Sequence, residues 1–134
     1  MPGTLIRGRL VGGIGLGRHF TRLDWARRQF IDKLGIDPFP GTLNVRVDGA
    51  ADLEAWMRLK RRPGVLIENP GDGQHDCDAR CYPVMLDGGV KAAIVLPEVA
   101  GYAPGLIEVI AEVGIRDALG MNDGDAVSLD LAET

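Results

Sequence analysis

The sequence predicts a mainly β protein: a small closed barrel of five or six strands with helices inserted between them. Three observations lead there. Five or six short β-rich runs recur along the 134 residues, each bounded by turn residues. Only two substantial helical patterns interrupt them, too few for the strand–helix alternation of a βαβ sheet. No internal repeat is present, and with the short strands this points to a small closed barrel.

The elements follow in order. Residues 4–11 read as a strand in which Leu5 and Val11 interleave with Arg7 and Arg9, ending at Gly12-Gly13. Leu23, Ala26, Phe30 and Leu34 recur at helical spacing, Thr21 with Asp24 resembles a capping box, and Gly35 supplies a stop, which predicts a helix over residues 22–34. Its apolar stripe, with Trp25, belongs to the core. Pro40-Gly41 launches a strand over residues 42–47, residues 52–59 form a short second helix ended before Pro63, and residues 64–68 a short strand. Residues 69–78 are a polar loop. Two β-rich runs, 79–86 and 90–96, flank Asp87-Gly88-Gly89 as a hairpin, with Pro83 pointing to an edge or a bulge in the first. A loop through Pro104, an apolar helix around residues 106–113, a helical turn at 115–119, the turn Asn122-Asp123-Gly124-Asp125 and a strand alternating Val127, Leu129 and Leu131 complete the chain.

Size and composition fit one domain: 46% hydrophobic and 25% charged residues support a single core. No apolar run approaches the roughly 18 residues that span a bilayer, and Met1-Pro2-Gly3-Thr4 does not open a signal peptide. The expectation is a cytoplasmic monomer with no membrane partner. The net charge of −4 divides unevenly, since residues 1–62 hold 12 Lys/Arg against 6 Asp/Glu and residues 63–134 hold 3 against 13. The basic part suits an anionic ligand, whereas the acidic sum disfavours nucleic acid. Cys77 and Cys81, beside His75, are spaced C-x3-C without a second ligand pair, which falls short of a zinc site and fits free thiols in a reducing compartment.

Two segments carry the chemistry. In Gly13-x-Gly15-x-Gly17-Arg18, alternate glycines let backbone N–H groups converge on a phosphate, with Arg18 adding charge at the rim. In Pro40-Gly41-Thr42-Leu43-Asn44-Val45, period-2 geometry puts Thr42 and Asn44 on one face, a hydroxyl beside an amide carbonyl. Such neutral oxygen ligands suit Mg2+ when a nucleotide supplies the negative charge. Each half alone is common, as a plain turn or a solvated strand face. Together they point to a nucleoside triphosphate.

These blocks make the chain resemble the archaeal-type CTP-dependent riboflavin kinases, whose fold is a six-stranded cradle-loop (RIFT-type) barrel. The resemblance runs nearly end to end. It is carried by Gly13-Ile14-Gly15-Leu16-Gly17-Arg18 with Phe20, by Leu34-Gly35 and Pro38-Phe39-Pro40-Gly41-Thr42-Leu43-Asn44, by Ala93-Ile94-Val95-Leu96-Pro97, by Ile107-Glu108-Val109-Ile110-Ala111, and by Ile115-Arg116 with Asp123-Gly124-Asp125. It implies transfer of the γ-phosphoryl of CTP to riboflavin, giving FMN and CDP. It further implies nucleotide binding by Gly13, Ile14, Gly15, Leu16, Gly17 and Arg18 and by Val113, Gly114, Ile115 and Arg116. Mg2+ falls to Thr42 and Asn44, and flavin contacts to Ala100 and Glu108. Glu108 is also the candidate general base. Leu16 stands where the family usually has glutamate, and Ala100 where it usually has threonine. Those departures motivate an alternative, a non-catalytic flavin or nucleotide sensor; a third class, a nucleic-acid-binding regulator, rests only on the basic N-terminal part.

Overall fold

The computed structural model describes residues 4–12, 21, 23–71, 78–87, 89–98 and 104–131. Seven strands, β1 (Thr4–Val11), β2 (Leu43–Arg46), β3 (Val65–Ile67), β4 (Ala79–Leu86), β5 (Val90–Pro97), β6 (Leu106–Ala111) and β7 (Ala126–Leu131), pair in the order β3-β4-β5-β6-β2-β1-β7. A further pairing of β4 with β7 closes six of them into a barrel and leaves β3 on the outside of β4. All pairs are antiparallel. The expected six-stranded barrel is therefore present, with one strand more.

Closure depends on bends, and Gly8 marks one. β1 pairs with β7 along residues 4–9 and with β2 along residues 9–11, so the strand changes partner just past Gly8. A Cβ on Gly8 would lie 2.6 Å from the Arg46 carbonyl oxygen and 2.6 Å from Val45 Cγ1. Only glycine lets β1 cross β2 so closely. Pro83 sits in β4 between Cys81, the last residue paired to β3, and Met85, the first paired to β7, which agrees with the edge its missing N–H predicts. β4 and β5 pair along residues 79–97 as the expected hairpin, with Asp87 at φ 47° in its turn; Gly88 lies outside the described residues.

Two apolar layers hold the barrel. Its interior is filled by Ile6, Leu10, Val45, Val84, Ile94, Val109, Leu129 and their neighbours, and joined by Trp56 and Leu59 of helix α2 (Ala50–Leu59). A second layer puts Ala26 and Phe30 over Ala79, Cys81, Ala93, Val95 and Ile110. These come from helix α1 (Asp24–Gln29) and the π-helical turn Phe30–Leu34 that continues it. Gly35, at φ 69°, ends that turn as expected.

Several sequence expectations change. The helix predicted over residues 22–34 becomes α1 followed by a π-turn, and Arg22 lies outside the described residues. Thr21 does not cap it: α1 has Leu23 at its N-cap with no side-chain cap bond, while the Thr21 hydroxyl accepts the Gly41 N–H at 3.1 Å. The apolar helix expected around residues 106–113 is strand β6. Its residues 107–111 are all buried, because β6 is covered inside by the core and outside by the α1 layer. Burial on both faces erases the alternation that identifies a strand.

Candidate functional site

Antiparallel register assembles the centre of the site. β2 and β6 pair with Leu43 opposite Val109 and Asn44 opposite Glu108. Side chains alternate across the sheet, so Thr42, Asn44 and Glu108 share the outer face of the wall, and Leu43 and Val109 turn into the barrel. The Thr42 hydroxyl donates to Glu108 Oε1 at 3.0 Å, with Asn44 Oδ1 at 3.4 Å. A hydroxyl has one proton, and the shorter contact to a carboxylate takes it. The Thr42 lone pairs are left for another partner. Asn44 is 5% exposed and Glu108 is 0% exposed. A carboxylate is fully buried only where partners compensate its desolvation, and Thr42 is one of them.

Beside this trio, at the barrel end where β2 begins and β6 stops, opens a cleft of about 240 Å³. Thr42 lines it as well, so one residue belongs both to the cleft and to the hydrogen-bonded trio. The opposite wall is the bend after β6 and the start of helix α3 (Ile115–Leu119), which bring Val113, Gly114, Ile115 and Arg116 to the cleft together. The Arg116 guanidinium is held by Asp123 at 2.5 Å, and both side chains keep substantial exposure.

The approach to Thr42 is fixed by a stapled segment. Arg27 donates to both Asp37 carboxylate oxygens, at 2.8 and 2.9 Å, and this hydrogen-bonded guanidinium holds the Asp37 carboxyl below its ordinary range. The Asp37 N–H donates to Glu112 Oε1 at 3.2 Å, and the Phe39 N–H to the Ala111 carbonyl at 2.7 Å. Gly41 takes φ 104°, a conformation open to glycine and strained for other residues, which turns the chain into β2. With Pro38 and Pro40 limiting φ on either side of Phe39, little freedom remains.

The structure thus brings together along the cleft five residues singled out in the sequence, Thr42 with Val113, Gly114, Ile115 and Arg116, and joins Thr42 to Glu108 and Asn44 on the outer face of the wall. Gly13, Ile14, Gly15, Leu16, Gly17, Arg18 and Ala100 lie outside the described residues, as do His75 and Cys77. Cys81 is a buried free thiol. Sequence reasoning missed Phe39 and Asp123 as site neighbours; Phe39, between two prolines, carried a signal in its enforced rigidity. It also placed Glu108 on a helix, where its pairing with Asn44 could not be foreseen.

The donor set around Thr42 is one of oxygens. Thr42 and Asn44 offer two neutral oxygens 3.4 Å apart beside one buried carboxylate, and among the described residues no cluster of three His, Cys, Asp or Glu is assembled. That arrangement fits a hard ion that keeps much of its water and finds its counter-charge on phosphates.

Comparison with known proteins places the chain in a family. The family model CTP-dep_RFKase, described as domain of unknown function DUF120, matches residues 10–131, and the chain belongs to that family. Among its relatives, a "Riboflavin kinase" of Methanocella arvoryzae is 41% identical over 127 residues, covering 95% of this chain and 56% of the relative. A "Riboflavin kinase" of Archaeoglobus fulgidus is 36% identical over 94% of this chain and 54% of its own. One from Ignicoccus hospitalis is 37% identical over 92% of this chain and 69% of its own. The chain spans about half the length of most of these curated relatives. No helix among the described residues is long and apolar enough to cross a membrane.

Proposed function

We propose that this chain is a kinase that phosphorylates riboflavin to FMN, taking the γ-phosphoryl group from CTP with Mg2+ held by Thr42 and Asn44. The observation that carries the reading is the dual position of Thr42, on the cleft and in the trio with Asn44 and Glu108. A nucleotide in the cleft and a flavin against Glu108 would meet there. Riboflavin kinase is the name borne by the relatives, and the family model's name supports CTP as donor.

Phosphoryl transfer asks mainly for positioning and charge neutralisation. The cleft residues Val113, Gly114, Ile115 and Arg116 hold the nucleotide, together with the glycine segment from Gly13 to Arg18. Glu108 accepts a hydrogen bond from the terminal ribityl hydroxyl, orients its oxygen toward the γ-phosphorus and takes its proton as the new P–O bond forms. The bond from that phosphorus to the β–γ bridging oxygen breaks, and CDP departs. A divalent cation bound at Thr42 and Asn44 supplies positive charge to the phosphate oxygens. Thr42 and Asn44 otherwise contribute a rigid wall, because Asn44 is fixed in β2 by its pairing to β6 and Thr42 immediately precedes that strand and bonds Glu108. The reading needs no nucleic acid, no membrane and no second subunit; a cytoplasmic monomer suffices.

The test incubates the protein with riboflavin and Mg2+ and, in turn, CTP, ATP, GTP and UTP, and separates FMN by chromatography. FMN formed mainly with CTP is the expected result. Formation with another triphosphate alone overturns the donor assignment. Absence of FMN with all four, accompanied by tight FMN binding, replaces the kinase by the sensor that Leu16 and Ala100 motivate.

A further inference from the structure

Among the described residues Phe39 is the exposed aromatic side chain, 50% accessible, while Phe30, Trp56 and Tyr82 are buried. A large apolar ring left in water on a segment this firmly held asks for a partner. Its backbone N–H is bonded to the end of β6 at 2.7 Å, proline flanks it on both sides, and the next glycine is anchored to Thr21. The ring therefore stands in a set place at the cleft. Its edge faces Gly114, with Cε1 and Cζ 3.4 Å from where a Cβ on that glycine would stand. Val113, 45% exposed, is the other exposed large apolar side chain lining the same cleft. Two open apolar surfaces and a guanidinium, Arg116, thus share one opening.

We propose that Phe39 is a substrate-binding residue, a stacking platform for the nucleobase of the phosphoryl donor, with Val113 bordering the slot; this rests on the kinase reading above. Aromatic stacking accepts any base by its π-face, so Phe39 supplies affinity and position, and base identity is left to the polar backbone of the bend after β6. Two features favour the nucleobase over the flavin. The cleft's volume of about 240 Å³ lies below the range of about 300–1,000 Å³ usual for drug-sized ligands, which suits a single ring better than a tricyclic one. Glu108 and Asn44 line the outer wall instead of the cleft, so the flavin side of the reaction lies across Thr42 from Phe39.

The experiment measures equilibrium binding, without turnover, of CTP, inorganic tripolyphosphate and riboflavin to the wild-type chain, Phe39→Ala and Phe39→Tyr, each with Mg2+. The half-exposed ring allows both variants to fold, and circular dichroism checks that they do. Phe39→Ala should weaken CTP by about 5- to 150-fold, the worth of one stacked base, while tripolyphosphate and riboflavin bind as before. Phe39→Tyr should restore CTP binding, which a merely structural role for the ring would not require. Unchanged CTP affinity in Phe39→Ala overturns the platform while leaving the kinase reading intact. Weakened riboflavin with unchanged CTP also overturns it and assigns the ring to the flavin. Failure of the wild-type chain to bind CTP removes both readings together.

Discussion

At Thr42 a hydroxyl with one proton faces two oxygens, and the 3.0 Å contact with Glu108 wins over the 3.4 Å contact with Asn44. If that orientation prepares the hydroxyl as a ligand, Thr42→Ser should keep FMN formation within about tenfold, since it retains the hydroxyl and loses one methyl group, worth about 0.8 kcal/mol. Thr42→Val, nearly equal in shape, should reduce it far more, and the ratio of the two rates in one product assay checks this. Gly41→Ala addresses the turn before it. The φ of 104° costs a residue with a Cβ about 1–3 kcal/mol, although nothing lies within 4 Å to clash, so thermal unfolding should show a loss of roughly 3–10 °C. The Thr42–Asn44 pair was legible because alternation along a strand is a local rule. The partnership with Glu108 was not, since it needs the β2–β6 register, which joins residues 66 positions apart.

Elements show a similar division. β1, the hairpin of β4 and β5, and β7 announced themselves by alternation and turn residues, and each appears near its expected bounds. β6 did not, because the core on one side and Phe30 with its neighbours on the other bury all of residues 107–111, and a run that is apolar but for Glu108 reads equally well as a helix. The π-turn at Phe30–Leu34 was hidden for a related reason: its apolar spacing nearly matches that of the helix it extends. Gly8 permits a sharp test of the barrel's geometry. A methyl group there would meet backbone oxygen at 2.6 Å, and backbone cannot yield as a side-chain tip does, so Gly8→Ala should destabilise the chain by about 1–3 kcal/mol. An unchanged melting temperature would mean that β1 does not cross β2 as described. Phe30→Ala tests the outer layer, with an expected loss of about 3–5 kcal/mol for a fully buried ring.

For the whole molecule, the buried thiol gives a pH signature. Desolvation pushes Cys81 from its ordinary 9.0 up to about 12, so between those values the unfolded chain loses a proton that the native chain retains. Cys81 therefore favours the fold fully below pH 9, and its contribution declines by about 1.4 kcal/mol per pH unit as pH rises above that. Burial raises Tyr82 as well, which adds to the decline above its ordinary 10.0. Denaturant titrations between pH 8.5 and 10 should show falling stability in the wild-type chain and a shallower fall in Cys81→Ala. Barrel closure was legible from strand number and the scarcity of helices, whereas the strand order that puts β6 beside β2 was not, because pairing between distant segments leaves no local trace in composition. The central claim is that the β2–β6 wall makes FMN. It is tested most directly by following FMN from riboflavin, CTP and Mg2+ with wild-type chain and Asn44→Ala side by side, circular dichroism verifying that both are folded. Mg2+-dependent FMN from the wild-type chain, abolished by EDTA, and none from Asn44→Ala is the expected result; equal rates from two folded proteins would contradict the proposal.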